Sequence, residues 1–211
     1  MPASMAIAYP YDGVLYLAPT RRCTLACTFC PKQHGRWTVA GNDLRWDAEP
    51  SADELYAAAQ ALEPARYRQV AFVGLGEPTL RLPVVLEVGR RLRAAGHQVR
   101  LVTDGLACLR EGRDVTAELA AAVDEIHVSL NAPDPETYAR LCPNPYGAAA
   151  HASACDFIRT AKEHVKVVAT VVAAPGLDLP ACRQLAQALG VPLRERPWFD
   201  PAVGEPHESV A

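Results

Sequence analysis

The chain has 211 residues, half of them hydrophobic, and a formal net charge of −3. This length suffices for one domain with a continuous core but not for two, and the slightly acidic balance excludes a general affinity for nucleic acid or anionic membranes. The apolar stretch over residues 5–17 is interrupted by Pro10, Asp12 and Gly13, lacks a basic leader and is too short to cross a bilayer. We therefore expect a cytoplasmic protein with no membrane segment.

Apolar segments of strand length alternate with amphipathic segments of helix length along the chain. The first strand is predicted at Val14–Ala18 and the first helix at Ala52–Leu62, where Ser51 and Glu54 have the spacing of a capping box. The later predicted strands are Gln69–Gly74, Gln98–Thr103, Glu125–Leu130, Val165–Val172 and Val191–Arg196. The later predicted helices are Pro83–Ala95, Thr116–Ala122, Pro135–Leu141, Ala148–Lys162 and Leu179–Leu189.

About six strands separated by helices predict parallel pairing with right-handed crossovers. Eight such repeats close a TIM barrel at ~250 residues, so this chain is expected to form an α/β fold with a partial, open TIM-like barrel. The domain is expected to cover residues 1–196, followed by a flexible polar tail over residues 197–211. Ligands of such folds bind at the carboxyl ends of the strands.

Three cysteines follow the first predicted strand closely: Cys23, Cys27 and Cys30. Thiolates at this C-x3-C-x2-C spacing suit three irons of a [4Fe–4S] cubane and leave the fourth iron without a protein ligand. A structural zinc ion is one alternative; it normally has four N or S ligands, and His34 is the candidate for the fourth. The other alternative is that the three thiols are grouped by chance. The other four cysteines are dispersed and are interpreted as buried thiols: Cys108, Cys142, Cys155 and Cys182.

Polar residues and a glycine stand at the ends of the next three predicted strands. They are Gly76, Glu77 and Pro78, then Thr103 and Asp104, then Ser129 and Asn131. Glycine lets a main chain approach a ligand closely, although residues of all these types also occur in ordinary turns. Because the carboxyl ends of parallel strands share one edge of a sheet, their coincidence with the cysteines favours one ligand site.

The cysteine spacing, with the aromatic Phe29 before the third cysteine, resembles the signature of the radical S-adenosylmethionine superfamily. The resemblance implies that S-adenosylmethionine chelates the open iron and that one electron cleaves it to methionine and a 5′-deoxyadenosyl radical. That radical would abstract hydrogen from an unidentified, possibly nucleotide-like substrate. The resemblance also implies a low-potential electron donor of the flavodoxin or ferredoxin type.

Further residues extend this resemblance to the cofactor site. Residues 74–78, Gly-Leu-Gly-Glu-Pro, are similar to the superfamily's Gly-Gly-Glu-Pro turn, which meets the amino group of the cofactor. Asp104 stands where the similar Thr-Asn-Gly motif has asparagine, and it cannot donate a hydrogen bond as an amide does. The cofactor-binding residues implied by the resemblance are Phe29, Gly76, Glu77, Pro78, Thr103, Asp104, Ser129 and Asn131, and the implied cluster ligands are Cys23, Cys27 and Cys30.

Residues 76–81, 129–133 and 136–143 are most similar to the small TatD-linked radical S-adenosylmethionine proteins, which implies an association with a TatD-like hydrolase. Two other enzyme classes stay open, namely an activating enzyme for a glycyl-radical partner and a methyltransferase with Cys182 as methyl carrier. A third alternative is a non-catalytic iron–sulfur or zinc protein that transfers electrons or binds a partner. The loop over residues 31–50 is long for a βα connection and is interpreted as a lid in which Arg36 or Trp37 contacts substrate.

Overall fold

The computed structural model describes residues 6–198. The strands in this part of the chain are β1 (Ala8–Tyr11), β2 (Val14–Leu17), β3 (Thr38–Val39), β4 (Asn42–Asp43), β5 (Gln69–Phe72), β6 (Val99–Thr103), β7 (Glu125–Ser129), β8 (Lys166–Val172) and β9 (Leu193–Arg196). The α-helices are α1 (Ala52–Ala61), α2 (Leu82–Ala94), α3 (Ala107–Glu111), α4 (Thr116–Ala120), α5 (Pro135–Leu141), α6 (Ala149–Ala161) and α7 (Leu179–Leu189). Short 3-10 turns cover Pro31–His34, Pro64–Arg66 and Pro78–Arg81.

The main sheet runs in the order β1-β2-β5-β6-β7-β8-β9, and β3 and β4 form a separate hairpin. The six strands from β2 to β9 in this order are all parallel. Among the described residues β1 and β9 are edge strands that do not pair with each other, so the barrel is open. The predicted open α/β fold with six parallel strands is confirmed.

The seventh strand of the main sheet, β1, is absent from the sequence-based prediction. It pairs antiparallel with β2 through a turn at Asp12 and Gly13, whose φ angles are 48° and 67°. Two left-handed residues, Asp followed by Gly, are typical of a type I′ hairpin turn. That dipeptide therefore indicates the hairpin, whereas the apolar pattern alone shows only an interruption. Pro10 is tolerated because β1 is an edge strand.

Local signals explain why the helices are predicted accurately. Ser51 and Glu54 form the expected capping box, with Glu54 N donating to Ser51 Oγ at 3.2 Å and Ser51 N donating to Glu54 Oε2 at 2.8 Å. Helices α5 and α7 have the predicted bounds, and each has an aspartate N-cap. In α5 a proline follows the cap directly, and in α7 a leucine and then a proline follow it. Helix α3 is not predicted, because five residues are too few to show a helical period.

The two faces of the main sheet differ in polarity. Leu15, Phe72, Leu101 and Val128 are fully buried in the core that packs against the helices. Since side chains alternate along a strand, the neighbouring positions point to the inside of the open barrel. Several of these positions carry polar or charged side chains, including Tyr16, Arg100, His127, Thr170 and Arg194.

Two further expectations concern the chain termini and membrane spans. Of the tail predicted over residues 197–211, only Pro197 and Trp198 belong to the described residues, and the rest lies outside them. The Trp198 ring centroid is 6.3 Å from that of Phe29. No helix among residues 6–198 combines the length and apolar character that crossing a membrane requires.

Candidate cofactor-binding site

A cavity of about 290 Å³ opens where the parallel strands end. Every predicted site residue except Pro78 lines it: Cys23, Cys27, Phe29, Cys30, Gly76, Glu77, Thr103, Asp104, Ser129 and Asn131. Pro78 is buried at the start of its 3-10 turn, directly behind Glu77. The fold thus brings the cysteine loop and three strand ends together at one place.

The cysteine loop is held to the body of the domain by backbone hydrogen bonds. Ala26 N donates to Pro143 O at 2.8 Å and Thr28 N donates to Leu141 O at 2.9 Å, which ties the loop to the end of α5. Within the loop, Cys30 N donates to Cys27 O at 2.9 Å. These contacts fix the path of the loop beside the cavity.

The three thiols of the loop are partly buried and free of disulfides. Burial raises the pKa of Cys23 to about 12 and also raises the pKa of Cys30. The thiolate is the form that binds metal. Because the surroundings favour the neutral thiols, a bound metal has to supply the stabilisation of these thiolates.

No three His, Cys, Asp or Glu side chains among residues 6–198 converge as the ligands of one metal ion do. The cysteines of a cubane each bind a different iron, so a cluster does not require such convergence. His34, the candidate fourth zinc ligand, has its Nε2 atom 2.6 Å from Thr28 O. This ring nitrogen is engaged with the backbone of the cysteine loop.

Cys142 lies next to the cysteine loop in the structure, although it is distant from that loop along the chain. Its thiol hydrogen-bonds with that of Cys27, which together with burial raises the pKa of Cys27. Asn131 Nδ2 also donates to Cys142 Sγ at 3.5 Å. Neither Cys142 nor Cys182 is among the residues that line the cavity. Cys142 therefore supports Cys27 from behind, a contact that no local spacing in the sequence indicates.

The turn at residues 74–78 packs directly on the cysteine loop. A Cβ atom at Gly76 would lie 2.2 Å from Thr20 O and 2.8 Å from Arg22 O. Glu77 N donates to Arg22 O at 2.8 Å. From the sequence this glycine is explained by the approach of a ligand, whereas the structure shows that close contact with the loop backbone already requires it.

Glu77 and Asp104 form a buried carboxylate pair whose counter-charge is Arg110. Arg110 Nη1 donates to both oxygens of Asp104, at 2.9 and 3.1 Å, and Arg110 Nη2 is 3.9 Å from Glu77 Oε1. Glu77 accepts hydrogen bonds from Thr103 Oγ1 at 2.8 Å and from Asp104 N at 2.7 Å. Arg110 also donates to the hydroxyl of Thr79. Arg110 is not predicted as a site residue, because it lies on the short helix α3 and belongs to no recognisable motif.

The charge balance of this network favours a cationic ligand group. Burial, and then the neighbouring Asp104, raise the pKa of Glu77 to about 7. Among the described residues these two carboxyl groups face a single guanidinium, so a positive charge in the cavity would relieve their repulsion. Both oxygens of Asp104 are already engaged, since Leu106 N donates to Oδ1 at 2.9 Å and Arg110 contacts both.

Asn131 is a further candidate contact for a ligand. Its backbone is left-handed, with φ of 57°, a conformation that asparagine adopts more readily than most residues. Its Oδ1 atom is buried and has no hydrogen-bond partner among the described residues. An orphaned acceptor at a cavity wall is costly unless a ligand satisfies it.

A family model described as the Radical SAM superfamily matches residues 17–189, which include the cysteine loop and the ends of β5, β6, β7 and β8. The chain belongs to the radical S-adenosylmethionine superfamily. Members of this superfamily use a [4Fe–4S] cluster and S-adenosylmethionine. The match extends well beyond the cysteine loop and supports the fold and the cofactors that the cysteine spacing implies.

Two curated relatives of the chain are radical S-adenosylmethionine enzymes of different function. GTP 3′,8-cyclase of Streptomyces coelicolor is 34% identical over 130 residues, which cover 60% of this chain and 35% of that protein. The probable dual-specificity RNA methyltransferase RlmN of Thermus thermophilus is 30% identical over 148 residues, which cover 67% of this chain and 40% of that protein. The chain thus spans less than half the length of these relatives.

Solved structures share the superfamily fold at low sequence identity. TYW1 with a bound lysine-pyruvate adduct has a TM-score of 0.63 and 15% identity, covering 89% of this chain and 65% of that chain. Streptococcus suis SuiB bound to S-adenosylmethionine has a TM-score of 0.64 and 13% identity, and the match covers 89% of this chain and 39% of that chain. These likenesses concern the fold.

The residues around the cavity fit the cofactors of the superfamily. Three thiols line the cavity, the number that a cubane with one open iron would use. The Glu77 and Asp104 carboxyl groups suit S-adenosylmethionine, which carries a sulfonium and an ammonium group. Asn131 Oδ1 supplies an unused acceptor, and Phe29 and Val172 supply apolar surface on the same cavity.

A second cavity, of about 240 Å³, lies on the inner face of the open barrel. We call it the arginine chamber, after its lining residues Arg68, Arg100, Arg194 and Arg196. From the loop over residues 31–50, Val39 lines the chamber, whereas Arg36 and Trp37 line neither cavity. Trp37 instead packs beneath cations, with Arg21 5.7 Å and Lys32 5.9 Å from its ring centroid.

His127, which lines the chamber, predicts a pH dependence of stability. Burial and then Arg100 lower its pKa from 6.5 to about 4, with Glu125 opposing the shift. Since the unfolded state binds the proton more tightly, stability should fall as the pH drops from about 6.5 to about 4, by roughly 3 kcal/mol from this group. Urea unfolding should show this loss in wild type and in a variant of the exposed His164, His164→Gln, but not in His127→Gln. An equal pH dependence in His127→Gln would contradict the assignment.

Proposed function

We propose that the protein is a radical S-adenosylmethionine enzyme whose cofactor site is the cavity at the strand ends. The observation that carries this proposal is the convergence of Cys23, Cys27 and Cys30 with residues of three strand ends on one cavity. A carrier of electrons needs the cysteines but has no use for polar groups at successive strand ends. Membership of the superfamily supports the same conclusion.

In this proposal each residue set has its own task. Cys23, Cys27 and Cys30 hold the cluster. The cofactor is bound by the eight residues that the superfamily resemblance indicates, namely Phe29, Gly76, Glu77, Pro78, Thr103, Asp104, Ser129 and Asn131. The bound cluster and S-adenosylmethionine supply a one-electron cleavage that yields a 5′-deoxyadenosyl radical able to abstract hydrogen from a substrate.

The chain's own residues prepare the site for this chemistry. Arg110 holds the carboxylate of Asp104 in place and offsets part of its charge, while Glu77 and Asp104 together still outnumber this one described counter-charge. Leu25, Phe29 and Val172 line the same cavity with apolar surface, which limits the access of water. Asn131 Oδ1 is available to accept a hydrogen bond from the cofactor.

Anaerobic reconstitution followed by an assay of cofactor cleavage tests the proposal. The reconstituted protein should be brown and should release 5′-deoxyadenosine when S-adenosylmethionine and a strong reductant are added. A protein that takes up stoichiometric zinc and no iron, or that loads a cluster and releases no 5′-deoxyadenosine, would refute it. The second result would favour the non-catalytic iron–sulfur alternative.

Finer features of the proposal rest on sequence. The amino-acid sequences of residues 76–81, 129–133 and 136–143 support membership of the TatD-linked group, with a TatD-like hydrolase as partner. We further propose a flavodoxin or ferredoxin as electron donor and a nucleotide-like substrate. A cytoplasmic location is proposed because all seven cysteines are free and need a reducing compartment. The domain is assigned to residues 1–196, with residues 197–211 as its tail.

A further inference from the structure

The arginine chamber concentrates positive charge in a chain whose net charge is −3. Asp12 is the only carboxylate among its lining residues in the described part of the chain, and it pairs with Arg68 at 3.2 Å. The other three arginines, Arg100, Arg194 and Arg196, form no ion pair with any described residue. Within residues 6–198 the chamber therefore holds three guanidinium groups without a protein counter-ion.

Burial makes this arrangement costly for the free protein at Arg100 and Arg196, whereas Arg194 is exposed. Arg100 is only 8% exposed, and its Nε atom is buried without a hydrogen-bond partner among the described residues. Arg196 Nε and Thr170 Oγ1 are likewise buried and unpartnered there, and both residues line the chamber. Buried polar groups and cations are normally paired, so three orphaned groups on one cavity indicate a ligand that is absent from the chain itself.

The nearest carboxylates form their ion pairs with other side chains. Glu125, on the strand next to Arg100, is held by His127 Nε2 at 3.1 Å and by Lys166 Nζ at 3.1 Å. Glu195, which alternates with Arg194 and Arg196 on β9, is paired with Arg183 at 2.6 Å. Burial lowers the pKa values of Arg100 and Arg196, and the neighbouring Arg194 lowers both further, while Tyr16 and Glu125 oppose the shift at Arg100 without forming an ion pair with it.

The chamber lies directly beside the proposed cofactor site. The two cavities share four lining residues, namely Val73, Val102, Arg196 and Pro197. A ligand held in the chamber would therefore extend towards the place where the hydrogen-abstracting group forms. A volume of about 240 Å³ accommodates part of a small molecule.

We propose that the arginine chamber binds the phosphate group of a small phosphorylated substrate through Arg100 and Arg194. The planar fork of arginine matches phosphate oxygens in pairs, and several guanidinium groups suit a ligand with two or more negative charges. A small molecule is favoured over a polynucleotide because the chamber is narrow and the chain is net negative. The inference rests on the proposed function in taking the adjoining cavity as the cofactor site.

Calorimetric titration of inorganic pyrophosphate into the reconstituted chain of residues 1–211 tests this inference without turnover. We expect saturable binding that Arg100→Gln and Arg194→Gln each weaken by about tenfold or more, and that Arg100→Lys partly restores. The matched control is Arg159→Gln, which removes an exposed arginine paired only with Asp156 on α6 within the described part of the chain. Its affinity should equal that of wild type.

Separate results would overturn the proposal. These are no saturable pyrophosphate binding, an equal loss in Arg159→Gln, malonate binding as tightly as pyrophosphate, and a short RNA binding more tightly with the same arginine dependence. If Arg100→Gln fails to fold, Arg194→Gln decides, because Arg194 is exposed at the rim. Release of 5′-deoxyadenosine by wild type is measured in parallel, so that failure of the proposed function is seen independently of pyrophosphate binding.

Discussion

Cys27→Ala is expected to lower the iron and sulfide of the anaerobically reconstituted protein from about four of each per chain to almost none. Loss of one thiolate leaves two protein ligands for the cubane, too few to hold it. Iron and sulfide assays with the visible absorption spectrum measure the effect, and Cys23→Ala and Cys30→Ala should behave alike.

Cys142→Ala is the matched control for this experiment. Cys142 contacts the Cys27 thiol but is not among the cavity-lining residues, so its removal should leave the iron content near that of wild type. If Cys142→Ala loses iron as completely as Cys27→Ala, the three cysteines alone do not hold the cluster and the three-ligand assignment is incomplete. If Cys27→Ala keeps its iron, the three-cysteine site is wrong.

Gly76→Ala should both destabilise the protein and stop the cleavage of S-adenosylmethionine. A methyl group there would meet Thr20 O at 2.2 Å, so the turn and the cysteine loop must separate. Such overpacking typically costs roughly 1–3 kcal/mol, and the shift also displaces the cluster ligands from the strand ends. The free energy of unfolding, the iron content and the release of 5′-deoxyadenosine measure these effects.

Gly96→Ala separates packing from backbone strain. Gly96 has φ of 86°, and a Cβ atom added there would have no described atom within 4 Å, so alanine adds strain but no clash. This variant should load its cluster and cleave the cofactor normally. Full activity in Gly76→Ala would show that the turn does not pack on the cysteine loop.

Much of the fold is predictable because its signals are local. The capping box at Ser51 and the prolines near Asp134 and Asp178 mark helix starts within a few residues, and their predictions are confirmed. The order of strands follows from the helices between them, since parallel strands need crossovers. The hairpin of β1 is missed although Asp12 and Gly13 indicate it, because hydrophobicity alone shows only a broken apolar stretch.

The candidate site likewise contains residues that the sequence predicts and residues that it does not. The predicted residues share one cavity apart from Pro78, because residues after parallel strands meet at one edge, although their roles in binding the cofactor stay predictions. The sequence does not identify Arg110 and Cys142 as parts of the site. Arg110 contributes through its contact with Asp104, and Cys142 contributes through its contact with Cys27, and neither contact shows as a local motif. The lid assignment of Arg36 and Trp37 stays a prediction, since neither residue lines the cofactor cavity or the arginine chamber in this structure.

By itself the sequence determined the six parallel strands, the cluster of cysteines and the superfamily, because periodicity, caps and ligand spacing are written in neighbouring residues. Only the tertiary structure decided which charges stand together. Glu77, Asp104 and Arg110 form one network, and Arg100 and Arg194 face one chamber, because curvature of the sheet brings separate strands to a common interior. Electrostatic energy depends on these distances in space, and no spacing along the chain encodes them.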